Sequence, residues 1–241
     1  MCQVLFFSGC VLVVQVFNLS IANRAIASVK NQNLCYVTKN YSKSCTVKVV
    51  QRVEKANRGF RADGFVPSQA IATTNVALDG LDSSVRNRAT NLTALIALAM
   101  LQEVERADLA IFNAGAIRID GYIPPGLITQ SDIIRIFPFG GKVLAVEING
   151  SLLERVLEQG RANRGTGGYL QTANVSIKPS LTRWLIAGKP LDPSQNYRVA
   201  INDFLLSGKE KGLEFLNLNQ KGVRLIAQKR DIRFAVIKQL R

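Results

Sequence analysis

The sequence of 241 residues contains no histidine. Histidine is the commonest metal ligand and the usual proton carrier near neutral pH. A chain without it cannot supply a histidine-containing catalytic triad, nor the histidine ligands of most hydrolytic dimetal sites. Residues 70–215 nevertheless carry many Arg, Asn, Gly and Phe residues in patterns typical of a nucleotide pocket. Together, the two observations predict a binding domain that is separate from its catalytic half.

Acidic residues are also scarce, with 17 Asp and Glu against 31 Lys and Arg and a net charge of +14. This excess favours anionic partners such as phosphates, nucleotides or nucleic acid, although a solvated basic surface would give the same number. The basic residues are spread along the chain and form no basic helix or known reading motif, which disfavours nucleic acid. A hydrophobic content of 47% indicates a globular chain.

The four cysteines lie within the first 45 residues, as Cys2, Cys10, Cys35 and Cys45. Their spacing matches no paired zinc-binding pattern. Two interpretations remain open: four unpaired thiols, or two disulfides of undetermined connectivity in an oxidising compartment.

The N-terminus has no charged side chain in residues 1–23, and residues 4–17 are mostly apolar. The run is too short and interrupted for a membrane span. Ala25 and Ala27 have the small-x-small form of a signal-peptidase site, but no Lys or Arg precedes the apolar run. A secretory leader is therefore one interpretation of this segment.

The regularity of the secondary-structure patterns increases near residue 70, which predicts a leader over 1–69 and a domain over 70–241. The leader is irregular, with a helix expected over 47–57 and a linker over 60–69. From residue 70 onward, strand and helix patterns alternate with short connections. This alternation predicts an α+β mixture of mixed β-sheets flanked by helices.

The expected elements of the domain are as follows. Strands are predicted over 70–78, 109–112, 142–148, 169–177 and 197–201, and helices over 91–105, 131–135, 151–159 and 232–240. Thr90 or Asn91 is expected to cap the first of these helices, and Asp231 the last. Gly160 is expected just past the end of the third helix.

Arginine and asparagine mark two candidate ligand-binding segments. Arg86 and Arg88 lie one residue apart on an irregular segment, so at least one should face inward or pair with an acid. Asn113 directly follows a buried strand and opens the segment NAGAIR, which ends at Arg118. Small residues there permit close backbone approach to a ligand, and an asparagine amide suits a base edge.

Three loops are further candidate segments of the ligand-binding region. The segment 137–141, FPFGG, is expected to send one phenylalanine into the core and to offer the other as a stacking face. The glycine-rich segment 165–171 lacks the Lys-Ser/Thr of a phosphate-binding P-loop and is expected to shape a turn. The segment 202–215 carries a charged tip between Gly208 and Gly212, and it can close over a pocket.

In their order along the chain, the motifs TTxVxLDG, RxRxTNL, NAGAIR, PFGG, GGYLQ and YRVAINDFLxxG resemble the C-terminal domain of the 5'-nucleotidase family. The resemblance covers about residues 70–240. It implies that Arg86, Asn113, Arg118 and Phe139 contact a nucleoside. It also implies a second aromatic side chain in a loop near residue 213, where this sequence has Leu213. Phe215, two residues on, is the expected substitute, and otherwise the stack is one-sided.

The resemblance also implies that the family's two divalent metal ions belong to a separate, N-terminal metallophosphatase domain. The expectation is therefore no cofactor and no catalytic residue in this chain, with a nucleotide or nucleoside as ligand and a metallophosphatase domain on another chain as partner. A periplasmic or extracellular location follows from the family. The segment QVLFFSGC (3–10) faintly resembles a metallophosphatase strand, so residues 1–69 are either a remnant or a leader. The alternatives are a basic nucleic-acid-binding protein or a relic that binds nothing.

Overall fold

The structure, a computed structural model, describes residues 68–178 and 183–241. The predicted helix over 47–57, the candidate leader and the cysteines lie outside the described residues. The division of the chain at residue 69 stays a prediction for the same reason. The described residues all lie within one compact unit. None of the helices in these two ranges is long and apolar enough to span a bilayer.

The described part of the chain alternates strands with helices. The helices are α1 (Asp82–Val85), α2 (Asn91–Glu103), α3 (Gln130–Ile136), α4 (Gly150–Ala162) and α5 (Ile232–Leu240). The strands are β1 (Ala70–Thr74), β2 (Leu78–Asp79), β3 (Leu109–Asn113), β4 (Tyr122–Ile123), β5 (Gly126–Thr129), β6 (Lys142–Asn149), β7 (Leu170–Ala173), β8 (Val175–Lys178), β9 (Arg183–Ile186), β10 (Lys189–Pro190), β11 (Asn196–Asn202) and β12 (Val223–Asp231).

The central sheet has five strands in the order β12-β6-β11-β3-β7. Strands β11 and β3 run parallel, with Val199 opposite Leu109, and the other neighbours in this sheet are antiparallel. Three smaller sheets pair β1 with β5, β2 with β4, and β8 with β9 and β10. The predicted α+β fold with mixed sheets flanked by helices is confirmed.

Side-chain alternation along the central strands divides the core into two layers. In β3, Ala110 and Phe112 join the cluster that includes α2, α3 and α5, whereas Leu109 and Ile111 join the cluster against α4. Because successive residues of a strand point to opposite faces, one strand supplies both cores. The central strands of the sheet are therefore buried on both faces.

Two predicted helix caps are confirmed. The Thr90 side chain accepts from the Thr93 N–H, and the Thr93 hydroxyl in turn accepts from the Thr90 N–H, so the two residues form a capping box at the start of α2. The Asp231 side chain accepts from the Arg233 N–H at the start of α5. Both caps are local signals that a short window of sequence carries.

Other expectations about elements were wrong in part. Gly160 does not end α4 but lies inside it, where a Cβ atom would overlap the Leu170 side chain at the start of β7. The strand expected over 169–177 is broken into β7 and β8 at Asn174, which has a φ of 60°. Strand β12 was not anticipated, and two register shifts interrupt its pairing with β6.

Candidate functional site

The central sheet gathers the candidate motifs at one of its edges, which we call the motif edge. Strands β3 and β11 are parallel and end there at Asn113 and Asn202. Strands β6 and β7 begin there, because Val143 pairs with Asn202 and Leu170 pairs with Asn113. The carboxyl ends of parallel strands are a recurrent place for ligand pockets in α/β sheets.

At the centre of the motif edge, three buried polar side chains form a chain of hydrogen bonds. The Asn202 Nδ2 donates to Asn113 Oδ1 at 2.9 Å, and the Asn113 Nδ2 donates to Glu210 Oε2 at 2.6 Å. Burial raises the pKa of Glu210 above its ordinary value, while the bond from Asn113 lowers it. The Asn202 Oδ1 is buried and has no hydrogen-bond partner among the described residues.

Arg118 and Phe139 meet at the same edge. The Arg118 guanidinium lies 5.8 Å from the centre of the Phe139 ring, a cation–π geometry. The Arg118 N–H donates to the Ile136 carbonyl at 2.9 Å, which ties the NAGAIR segment to the end of α3. Phe137 is buried and Phe139 is half-buried, so one ring enters the core and the other remains accessible.

The residues that directly follow β11 lie beside the turn of residues 137–141. The Asp203 N–H donates to the Lys142 carbonyl at 3.0 Å, and Asp203 Oδ1 lies 3.1 Å from where a Cβ on Gly141 would be. Burial raises the pKa of Asp203, and its backbone hydrogen bonds oppose this effect. Phe204 follows directly and is 42% exposed. A second exposed aromatic residue therefore directly follows the strand end that contacts the turn of residues 137–141.

Arg86 and Arg88 each pair with an acid, as expected from their spacing. Arg86 pairs with Asp82 at 2.5 Å, and Arg88 pairs with Asp79 at 2.8 Å. The Gln171 Nε2 donates to the backbone carbonyl of Arg88 at 2.9 Å, which fixes this segment against the start of β7. The Arg86 Nε is buried without a hydrogen-bond partner in the described ranges.

The glycine-rich loop 165–169 joins the arginine segment to the NAGAIR segment. The Gly165 N–H donates to the Arg86 carbonyl at 2.7 Å, and the Gly115 N–H donates to the Gly167 carbonyl at 2.8 Å. A Cβ on Gly115 would lie 3.1 Å from the Gly167 Cα, so the two backbones approach as closely as glycine permits. The expected role of this loop, shaping a turn, is consistent with these contacts.

The end of α4 ties together two of these loops. The Asn163 Nδ2 donates to the Gly168 carbonyl at 3.3 Å and to the Lys211 carbonyl at 3.0 Å. The loop that carries Glu210 is thereby held against the glycine-rich loop. Gly212 has a φ of 82°, a backbone conformation that favours glycine, and a Cβ there would also lie 2.7 Å from Asn163 Oδ1.

Leu213 and Phe215 lie on the α4 side of the sheet. Leu213 is fully buried in the second core cluster. Phe215 is half-buried against that cluster, and the Arg155 guanidinium of α4 covers its ring at 4.0 Å. The structure thus gathers Arg86, Asn113, Arg118 and Phe139 at the motif edge, and it places Phe215 beside α4. The ligand-binding role of all five residues stays a prediction.

Asn202, Phe204 and Glu210 lie in the candidate segment 202–215, but sequence reasoning assigned none of them an individual role. Asn202 and Phe204 carried a usable signal, because they end and directly follow a strand that is parallel to the strand ending at Asn113. Glu210 carried none, since a glutamate flanked by Lys209 and Lys211 is typical of an exposed tip. Its burial depends on Asn113, which lies 97 positions away in the sequence.

The two divalent ions of the family do not fit the residues of this edge. The sequence has no histidine. Asp203 and Asp231 are the acids that flank the turn of residues 137–141, and Arg233 binds both carboxylate oxygens of Asp231. Within the described residues no group of three or more His, Cys, Asp or Glu side chains could hold a metal ion. We therefore assign no metal-dependent step to these residues.

The structure defines an α+β domain, in which helices cover both faces of a mixed sheet. Loops with arginine, asparagine and aromatic residues lie at the ends of its parallel strand pair. The family model of the 5'-nucleotidase C-terminal domain matches residues 70–217, and the chain belongs to that family. The resemblance drawn from the motifs is thus confirmed.

Curated relatives share this region. Protein UshA of Yersinia enterocolitica is 36% identical over 139 residues, which cover 56% of this chain and 24% of that protein. The trifunctional nucleotide phosphoesterase protein YfkN of Bacillus subtilis is 31% identical over 166 residues, which cover 59% of this chain and 11% of that protein. The chain therefore spans a quarter or less of the length of these relatives.

Two solved structures show the same fold. The 5'-nucleotidase precursor of Thermus thermophilus superposes with a TM-score of 0.62 at 24% identity, covering 82% of this chain and 39% of that chain. The NAD nucleotidase NadN of Haemophilus influenzae gives a TM-score of 0.58 at 20% identity, covering 92% of this chain and 42% of that chain.

Proposed function

We propose that this domain binds the nucleoside part of a nucleotide at the motif edge, as the substrate-binding domain of a 5'-nucleotidase-like hydrolase. The observation that carries the proposal is the convergence of Arg118, Phe139, Asn113 and Phe204 on one end of the central sheet. These residues come from three separate segments. Their side chains supply a cation, two accessible rings and an amide.

In this proposal the base stacks on Phe139 and Phe204. Phe139 is half-buried and Phe204 is exposed, and one backbone hydrogen bond, from the Asp203 N–H to the Lys142 carbonyl, joins the two segments that carry them. Stacking of a base on an aromatic side chain contributes about 1–3 kcal/mol. Phe215 is the alternative ring, but Arg155 already covers it.

Polar groups then orient the ligand. Asn113 lies at the end of β3 with both amide atoms engaged, so a base edge that reaches it must replace or extend the bonds to Asn202 or Glu210. Arg86 and Arg118 offer guanidinium groups for ribose hydroxyls or for phosphate. Both side chains are half-buried, and a ligand that reaches Arg86 would share its guanidinium with Asp82.

Hydrolysis of the phosphate ester is proposed for a metallophosphatase domain outside these 241 residues, carried by the same enzyme or by another chain. Such a domain would supply two metal ions that activate water. We further propose a periplasmic or extracellular location, which rests on the motif resemblance alone.

Calorimetric titration of the chain with AMP tests the proposal. Phe139→Ala should weaken AMP binding by about 1–3 kcal/mol, because the stacking face is lost. Trp184→Ala is the matched control, since Trp184 is a half-buried aromatic residue in the separate sheet of β8, β9 and β10. Equal AMP affinity of the unaltered chain and Phe139→Ala would contradict the stacking role.

A further inference from the structure

An ion pair between Asp231 and Arg233 lies at the junction of β12 and α5, beside the motif edge. The Arg233 side chain is buried and the Asp231 side chain is partly exposed. Arg233 is the largest fully buried side chain of the described residues, with 1% exposure. Its Nε donates to Asp231 Oδ1 at 2.9 Å and its Nη2 donates to Asp231 Oδ2 at 2.8 Å. This fork geometry fixes both side chains in one plane. Both residues lie beyond the segment 70–217 that the family model matches.

The pair lies directly against the residue that follows Phe139. A Cβ on Gly140 would lie 2.5 Å from Asp231 Oδ2 and 2.6 Å from the Nη2 of Arg233. Gly140 also has a φ of 64°, which favours glycine. The backbone at residue 140 therefore lies close to the ion pair, with no room for a side chain between them.

The next residue is fixed from the same helix. The Ile232 N–H, at the first position of α5, donates to the Gly141 carbonyl at 2.8 Å. Asp203 closes the other side, since its Oδ1 lies 3.1 Å from where a Cβ on Gly141 would be. The two glycines after Phe139 are thus held between the ion pair, the start of α5 and the exit of β11.

We infer that Arg233, through its paired carboxylate of Asp231, is a positioning residue that sets the orientation of the Phe139 ring. A buried ion pair contributes little net stability, because the loss of solvation offsets the attraction between the charges. It contributes direction, because two parallel hydrogen bonds hold the guanidinium and the carboxylate in one geometry against Gly140. The inference rests on the proposed function for the meaning of the ring as a base platform.

Two ligands that differ by the base provide the first test. Arg233→Met should weaken AMP binding about tenfold, within the range of one misplaced stacking contact. Binding of ribose 5-phosphate, which has no base, should change less than about twofold. Arg224→Met is the matched control, because Arg224 is also an ion-paired arginine but is exposed, and it pairs with Glu147. It should change neither affinity.

Arg233→Lys serves as the second variant, and it decides the matter if Arg233→Met does not fold. Lysine keeps the buried cation but cannot hold both carboxylate oxygens in a fixed plane. A loss of AMP affinity that is smaller than that of Arg233→Met, with little change for ribose 5-phosphate, supports the inference. Equal losses for AMP and ribose 5-phosphate, or no loss for either, would overturn it.

A readout without ligand separates this inference from the proposed function. The chain has one tryptophan, so the double substitution Phe139→Trp with Trp184→Phe places the only indole at the ring position. Adding Arg233→Lys should increase acrylamide quenching of that indole, whereas adding Arg224→Met should not. Unchanged quenching with Arg233→Lys overturns the positioning role even if AMP binds. Increased quenching supports it even if AMP does not bind and the proposed function fails.

Discussion

Phe204 and Phe215, near opposite ends of the 202–215 segment, are the two candidates for the second stacking ring. Phe204 is 42% exposed beside the turn of residues 137–141. Phe215 packs against the second core cluster, and Arg155 covers its ring. A base can reach the first ring without displacing a side chain, whereas the second is already stacked.

Phe204→Ala should therefore weaken AMP binding by about 1–3 kcal/mol with little change in thermal stability. Phe215→Ala should do the reverse, lowering the free energy of unfolding by about 1–3 kcal/mol because packing against α4 is lost. Titration calorimetry and denaturant unfolding of the two variants measure these effects. A loss of AMP affinity in Phe215→Ala alone would instead support the ring that the motif resemblance favours.

Glu210 should make folding stability depend on pH. Its pKa is raised by burial, so the folded state holds the proton more tightly than the unfolded state does. Its contribution is fully present below the ordinary pKa of a glutamate and is lost as the pH rises through the raised pKa. Glu210→Gln keeps an acceptor for Asn113. It should therefore remove the part of the decrease in unfolding free energy with rising pH that comes from Glu210.

Glu214 provides the control of opposite sign in the same loop, through the variant Glu214→Gln. Backbone hydrogen bonds from Glu214 itself and from Gly212 lower its pKa. Its contribution is present above the ordinary pKa and is lost as the pH falls through the lowered one. Urea unfolding between about pH 3 and pH 8 distinguishes the two variants. Parallel curves for Glu210→Gln and the unaltered chain would show that the buried carboxyl does not titrate in this range.

At the scale of elements, α4 is positioned by its first residue as much as by its apolar face. The Gly150 N–H donates to the Gln195 carbonyl at 2.7 Å, and the Ser151 N–H donates to the Pro193 carbonyl at 3.0 Å. A Cβ on Gly150 would overlap the backbone carbonyl of Asp192. Backbone cannot move aside as a flexible side chain can, so this contact fixes the helix start.

Gly150→Ala should therefore lower the free energy of unfolding by about 1–3 kcal/mol, although alanine is the better helix former by about 1 kcal/mol. Gly121→Ala is the matched control, because a Cβ there would meet its nearest neighbour, the Ile119 carbonyl, at an ordinary 3.7 Å. Denaturant unfolding measures both. Since Gly150 lies at the opposite edge of the sheet from the motifs, AMP affinity of the folded variant should be unchanged.

The elements that the sequence predicted correctly are those with local signals. Thr90 and Asp231 mark their helix starts by a cap that needs only the next few residues. Strand β12 lacks a regular alternation because two register shifts interrupt its pairing with β6, so a period-two pattern could not reveal it. Glycine commonly follows the last residue of a helix, so the sequence predicts a helix end at Gly160. Its packing partner, Leu170, lies on another element and gives no local signal.

The same distinction separates the parts of the candidate site. Asn113 could be predicted because it ends a buried apolar strand, which is a local pattern. Glu210 and Arg233 could not, because a charged side chain in a polar or helical window is usually exposed. Their burial depends on Asn113 and on the turn at Gly140, which lie far away in the sequence.

For the whole molecule, the net charge and the motif edge predict different ligands. A charge of +14 attracts any polyanion at low ionic strength. The motif edge, in contrast, carries the half-buried Phe139, the exposed Phe204 and the Asn113 amide, which in our proposal contact a single nucleoside. Charge attraction weakens steeply with salt, whereas stacking does not.

The chain should therefore bind AMP with an affinity that falls only slightly between about 50 and 200 mM salt, because a mononucleotide releases few counterions. Any binding to a long DNA duplex should fall by roughly a thousandfold or more over the same range if several phosphates are contacted. Phe139→Ala should weaken the first interaction and leave the second unchanged, since base stacking requires an unpaired base. Fluorescence anisotropy with labelled duplex and calorimetry with AMP measure the two. Salt-dependent duplex binding without AMP binding would favour the nucleic-acid alternative, and loss of both would leave a fold that keeps its packing without a ligand.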